Sequence, residues 1–177
     1  MGGEGTSYGP PPPKGSWKDV LLQELEGRLD LSRVHFTGKL PYADFLRLMQ
    51  VTRVHAYLTY PFVLSWSMAE AMAAGAMVVA SDTAPVREVL TDGVTGRLVD
   101  FFDVPGWSAA LTEALADPAA LVPLRRAARA HMVATDDLQR RCLPQIVSFV
   151  EGQTLPRAPR SERSATTPIS ADPSITS

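Results

Sequence analysis

Short apolar runs and helical stripes alternate through the middle of the chain. Between Ser16 and Leu29, Val20, Leu21, Leu25 and Leu29 recur near helical spacing, and Ser16 stands where an N-cap belongs. Val34-His35-Phe36-Thr37 reads as a short strand with Gly38-Lys39-Leu40-Pro41 as its exit loop. Tyr42 to Gln50 is a second amphipathic helix, with Phe45, Leu48 and Met49 on one face. Val54 to Tyr60 alternates Val54, Ala56 and Leu58 against His55, Tyr57 and Thr59. Ser67 to Ala74 is rich in Ala and Met, which suits a helix, and Gly75 follows as its stop. Met77 to Ala80 is wholly apolar, as expected of a strand covered on both faces. Ser81 to Ala84 is a polar loop, Pro85 sits where a first helical residue would, and Arg97-Leu98-Val99 is a last short strand. Strands and helices in strict alternation predict an α/β fold, a parallel sheet flanked by helices.

Further on, Asp103 caps a helix whose face is Trp107, Ala110, Leu111, Ala114 and Leu115. Asp117-Pro118 opens another, with Leu121, Leu124 and Ala128 toward the core. Asp136 to Val150 is a final helical stretch that Pro144 should kink or break. The two ends differ from this middle. Residues 1–15 are dominated by Gly and Pro, so an extended or disordered start is expected; from Gly152 on, Ser, Thr, Pro and Arg dominate and disorder is expected. The expected organisation is a start at 1–15, one domain at 16–151 and a tail at 152–177.

Composition narrows the function. With 45% hydrophobic residues the 177-residue chain can build a real core, and a net charge of −2 makes no electrostatic case for nucleic acid. Cys142 is the only cysteine, so no intrachain disulfide forms, and a reducing, cytoplasmic compartment fits. No run of about 18 apolar residues is present to span a membrane, and the first residues lack the basic-then-apolar pattern of a signal peptide. His35, His55 and His131 have no zinc spacing among themselves or near Cys142, so packing or solvent roles are expected. There is no Gly-Xaa-Ser-Xaa-Gly elbow and no Walker-type loop. Arg125, Arg126, Arg129, Arg140 and Arg141 form a basic C-terminal cluster, read first as a solvated face; contact with anionic lipid is the alternative, a peripheral membrane role without a clear amphipathic anchor.

The chemistry concentrates between Tyr60 and Leu90, where two helix N-termini follow the carboxyl ends of two parallel strands. Open α/β sheets bind ligands there, and helix N-termini suit phosphate. The run Pro61-Phe62-Val63-Leu64-Ser65-Trp66-Ser67-Met68-Ala69-Glu70-Ala71-Met72-Ala73 resembles the donor-site motif of retaining group 1 glycosyltransferases of the GT-B fold. So does Ser81-Asp82-Thr83-Ala84-Pro85-Val86-Arg87-Glu88-Val89, followed by Asp92-Gly93 and Thr95-Gly96-Arg97-Leu98-Val99. The resemblance covers Val34 to Pro118 well and reaches weakly back to Tyr8. It implies a Rossmann-like domain, the C-terminal, donor-binding half of such an enzyme.

The resemblance also implies roles. Glu70 would hold the ribose hydroxyls of a nucleoside-diphosphate sugar, since a carboxylate can accept two charge-assisted hydrogen bonds from a diol. A local reading stands beside it: Ser67-Met68-Ala69-Glu70 has capping-box spacing. Val63, Leu64 and Ser65 fall in the loop whose backbone N–H groups approach the diphosphate in the family, which would stabilise the leaving group without a metal. The alternative makes Phe62, Val63, Leu64 and Trp66 core plugs and Ser65 a cap. Gly38, Lys39 and Leu40 fall where the nucleobase is met, largely through backbone; the Lys39 side chain reads as an ordinary solvated lysine. Arg87 and Glu88 read as surface charges or a salt bridge. The family's second motif Glu falls on Phe62, whose ring cannot hydrogen-bond sugar hydroxyls, so no catalytic residue is assigned. The expected donor is a nucleoside-diphosphate sugar and no cofactor is expected. The family binds the acceptor mostly on a separate N-terminal domain, and neither it nor the first strands of the C-terminal half are recognised here. Two functions therefore stand at this point. One is sugar transfer to a hydroxyl acceptor with retention, the missing half or a partner chain supplying the acceptor site. The other is a binding module or remnant without turnover.

Overall fold

A computed structural model describes residues 10–60 and 64–152. The expectations for residues 1–9, for Phe62 and Val63 and for the tail from residue 153 lie outside these. The chain forms two compact units, one ending at Ala134 and the other beginning at Thr135.

The first unit is built on a parallel sheet of three strands in the order β1 (Val54–Tyr57), β2 (Met77–Ser81), β3 (Arg97–Val99). Val54 lies opposite Met77, and Val79 opposite Arg97. All five residues of β2 are buried, as its unbroken apolar run predicts for a strand with neighbours on both edges and helices on both faces. On one face, Val78 and Ala80 join Tyr57, Met68, Met72 and Phe45 in the main core. That layer comprises α2 (Tyr42–Val51) and α3 (Trp66–Ala74), which pack together, and it also takes in Ala128 and Met132 of α6 (Val122–Asp136). A further helix, α5 (Val104–Ala116), contacts all three strands and buries Trp107 and Ala114. The fold is α/β and Rossmann-like.

Four sequence expectations change. The first helix, α1 (Trp17–Glu24), keeps Ser16 as N-cap in a capping box with Asp19, but ends well before Leu29, and Gly27 at φ +72° turns the chain. None of its residues is buried, so its apolar stripe does not reach the core. Val34 to Thr37 is extended and not a strand, because no neighbouring strand pairs with it among the described residues; Phe36 is 56% exposed and carries the Lys18 ammonium 5.1 Å from its ring centroid. Asp117 accepts from the N–H groups of Ala119 and Ala120 in a turn, and α6 starts only at Val122. In the second unit the final helix is interrupted earlier than Pro144: a π-helical turn, Leu138–Cys142, opens on the Asp137 side chain, and Pro144 sits in the first turn of α7 (Leu143–Val150), where its missing N–H costs nothing.

Gly96 marks the tightest backbone approach among the described glycines of the sheet. A Cβ there would lie 2.6 Å from Leu90 Cδ1 and 2.8 Å from the Val78 carbonyl oxygen of β2. Gly96→Ala should lower stability by about 1–3 kcal/mol in urea denaturation, as overpacking does. His55 on β1 stacks with Tyr57, and its Nε2 is buried without a hydrogen-bond partner in the structure. Burial lowers its pKa below the ordinary histidine value. The unfolded chain therefore takes up the proton first as pH falls below about 6.5, so stability drops on acidification through the window between the two pKa values. Melting curves from pH 7.5 to 5 should show this fall, and His55→Phe should flatten it.

Candidate functional site

The carboxyl end of the sheet is laced by side chains. The Ser81 hydroxyl, at the end of β2, donates to the Tyr57 carbonyl oxygen (3.3 Å) and accepts from the Thr59 N–H (2.7 Å). The Tyr57 hydroxyl in turn accepts from the Ser65 N–H (2.8 Å). The chain that leaves β1 is thus tied back to it just where α3 begins. Ser65 is the N-cap of α3: its hydroxyl accepts from the Ser67 N–H (3.3 Å) and lies 3.0 Å from the Ser67 hydroxyl. Leu64 packs on the core, whereas Trp66, a core plug in one reading, is 84% exposed. At the other end of α3, Gly75 closes the helix at φ +86°, and Arg125 and Arg129 of α6 donate to the carbonyl oxygens of Gly75 and Ala73. These two arginines are therefore helix-terminal ligands and not simply part of a solvated basic face.

Glu70 lies in the second turn of α3, past the cap, so the capping-box reading fails: Ser65 caps the helix, and Glu70 turns elsewhere. Its Oε1 accepts from the Tyr42 hydroxyl at 2.9 Å. Tyr42 is the first residue of α2 and follows Gly38-Lys39-Leu40-Pro41 directly. In that loop Gly38 adopts φ +60°, Lys39 is exposed and Leu40 packs against the core. One hydrogen bond between residues 28 apart in sequence therefore joins two of the predicted site segments. The Glu70 carboxylate, by hydrogen bond and by charge, raises the Tyr42 phenol above its ordinary pKa, so it stays a donor.

Next to β2, Asp82 donates its N–H to the Val99 carbonyl oxygen (2.7 Å) and holds Arg87 with both carboxylate oxygens. That hydrogen bonding lowers the Asp82 pKa. Arg87 is thus a salt-bridge partner, and Glu88 is exposed. Thr83 heads the short helix α4 (Ala84–Arg87); its hydroxyl is buried and has no partner among the described residues. Among those residues, too, no three acidic, His or Cys side chains are grouped to hold a metal, and no helix is long and apolar enough to cross a membrane. Sequence reasoning missed Tyr42 and Tyr57, and it quoted Ser81 and Thr83 within the family motif without giving either a role. Tyr57 and Ser81 end β1 and β2, which is the one signal that points to them.

The family model described as "Glycosyl transferases group 1" matches residues 8–117, more than half of the chain. The chain belongs to the group 1 glycosyltransferases. Among curated relatives, the chain is 28% identical to a glycogen synthase of Mycobacterium tuberculosis over 150 residues, 85% of this chain and 35% of that one. A 50-residue stretch is 54% identical to a phosphatidyl-myo-inositol mannosyltransferase of Mycolicibacterium smegmatis, covering 28% of this chain and 13% of the relative. Among solved structures, Anabaena HepE in complex with UDP superposes with a TM-score of 0.69 at 25% identity, over 77% of this chain and 37% of that one. A sucrose-phosphate synthase of Thermosynechococcus elongatus has a TM-score of 0.67 at 24% identity, over 76% and 33%. These neighbours share its α/β, Rossmann-like fold. The chain spans about a third of the glycogen synthase and of these two structural neighbours.

The Tyr57 hydroxyl is the tie between β1 and the start of α3. Tyr57→Phe should cost about 1 kcal/mol, the size of one hydrogen bond in a part-buried setting, seen as a lower midpoint in urea.

Proposed function

We propose that this chain is the donor-binding part of a retaining glycosyltransferase that moves a sugar from a nucleoside diphosphate to a hydroxyl acceptor. The observation that carries the reading is the Glu70 carboxylate. It is half-buried in the second turn of the helix that follows β1, is not the cap of that helix, and is linked through Tyr42 to the loop at residues 38–41. In this reading Glu70 accepts hydrogen bonds from the ribose hydroxyls, the backbone of Gly38 to Leu40 meets the base, and the amino end of α3 faces the diphosphate. The helix dipole and the N–H groups of that end stabilise the negative charge that grows on the leaving diphosphate as the glycosidic bond breaks. The reading needs no metal, so a chelator should leave nucleotide affinity unchanged. The solved structures of HepE with UDP and with UDP-glucose support a nucleotide-sugar ligand. The acceptor is bound in this reading by a separate N-terminal domain or by a partner chain.

One observation favours a second reading, a nucleotide-sugar-binding module without turnover. Phe62 stands where the motif has its second carboxylate. Transfer assays with and without a chain carrying an acceptor domain separate the two: binding without product under both conditions selects the module. Where product forms, the anomeric configuration read by NMR tests retention.

Glu70→Ala tests the ribose contact itself. Loss of a charge-assisted hydrogen bond costs about 1.5–3 kcal/mol, so calorimetric titration with UDP, GDP or ADP should show affinity falling about ten- to a hundredfold. Because Glu70 is not the helix cap, the melting temperature should hold. An unchanged Kd sinks the ribose role.

A further inference from the structure

We infer that Tyr42 is a positioning residue for Glu70: its hydroxyl, 2.9 Å from Oε1, fixes the carboxylate so that the free oxygen meets a cis-diol, which makes the site selective for ribose over deoxyribose. This rests on the proposed donor-site reading and deepens it.

The geometry has three parts. Glu70 is on a helix anchored at both ends, by Ser65 with Tyr57 at the start and by Gly75 with Arg125 at the finish, so its backbone is set. Its side chain still has three torsions, and a half-exposed glutamate with no partner would sample many rotamers. The Tyr42 hydroxyl removes that freedom, because a hydroxyl donor occupies one carboxylate oxygen and sets the plane of the other. Tyr42 is 63% exposed; its ring is tilted against buried Phe45, with centroids 6.1 Å apart, and its backbone opens α2 two residues after Leu40, which is packed on the core.

An ionised carboxylate only accepts, and the Tyr42 oxygen, having donated its proton to Glu70, has lone pairs left to accept. The pair offers acceptors alone, so its complement is a group with two adjacent donors. A ribose 2′,3′-diol supplies both O–H groups, whereas a sugar lacking them leaves these partly exposed acceptors to water. A tyrosine phenol is protonated at neutral pH, and the Glu70 carboxylate shifts Tyr42 further in that direction, so the hydroxyl remains a donor.

The test is calorimetric titration of the chain, using whichever of UDP, GDP and ADP binds tightest, together with the 2′,3′-dideoxy form of the same nucleotide. Wild type, Tyr42→Phe and Glu70→Ala are compared, with melting temperatures as the folding check. The expected result is a ribonucleotide Kd raised about three- to tenfold in Tyr42→Phe, the range of one hydrogen bond. Wild type and Tyr42→Phe should bind the dideoxy form equally, and the melting temperature should not move. If Glu70→Ala weakens ribonucleotide binding and Tyr42→Phe does not, the positioning role is wrong and the donor-site reading survives. An equal loss on both nucleotides in Tyr42→Phe also overturns the inference, since the effect would not run through the diol. If Glu70→Ala changes nothing, or if wild type binds none of the three nucleotides, the donor-site reading fails and the inference with it.

Discussion

The constraint behind the whole arrangement is the complete burial of β2. Five consecutive residues, Met77 to Ser81, are removed from solvent, so every backbone N–H and C=O among them needs a partner. A strand on each edge supplies the main-chain partners, and helices on both faces cover the side chains. Once β2 is enclosed, the parallel direction of β1 and β3 requires crossover helices, and α3 must run back across the sheet to reach β2. Its amino end then falls at the carboxyl ends of the strands. The position of the candidate site is a consequence of burying β2, not a separate piece of design.

That logic places α3 only roughly. Its two ends fix it finely, and by different chemistry. At the start, the Ser81 hydroxyl donates to the Tyr57 carbonyl and the Ser65 N–H donates to the Tyr57 hydroxyl, so β2, β1 and α3 share one tie. At the finish, Gly75 takes the left-handed conformation that ends the helix, and guanidinium groups from α6 meet carbonyls that the helix leaves unpaired. Cations at a helix carboxyl end also oppose its dipole favourably. A helix held in this way can present a polar side chain from its middle at a fixed place.

The sequence was legible where local rules and burial agree. The apolar run at β2, the Ala- and Met-rich α3 with Gly75 after it, and the Phe45 and Met49 stripe of α2 all appear with nearly the expected bounds. It was misleading where structure depends on a partner. Val34 to Thr37 has strand-like residues, but a strand exists only as one member of a pair, and no described residue pairs with it. The stripe on α1 fails for the same reason, since none of its apolar positions is buried. At the site, Glu70 was visible from its motif, but its capping spacing was deceptive because Ser65, two residues upstream of Ser67, had already taken the cap. The Tyr42 contact spans 28 residues and leaves no local trace in the sequence.

Why a carboxylate in the second turn of α3 is available for a ligand follows from its neighbours. Met68, Ala71 and Met72 are fully buried, at the i, i+3 and i+4 spacing of a helix face turned to the core. Glu70 sits beside that stripe, partly screened from water and yet not enclosed. A position at the centre of the stripe would have required a buried partner for the charge, and one on the opposite side would have been fully solvated, where a hydrogen bond to a sugar only replaces one to water. The small side chain at Ala71 lets α3 pack closely against its neighbours, and α2 is one of them. Close packing brings the first residue of α2 within hydrogen-bond reach of the carboxylate. The same feature that makes the helix pack well thus makes its one acidic residue both reachable and oriented.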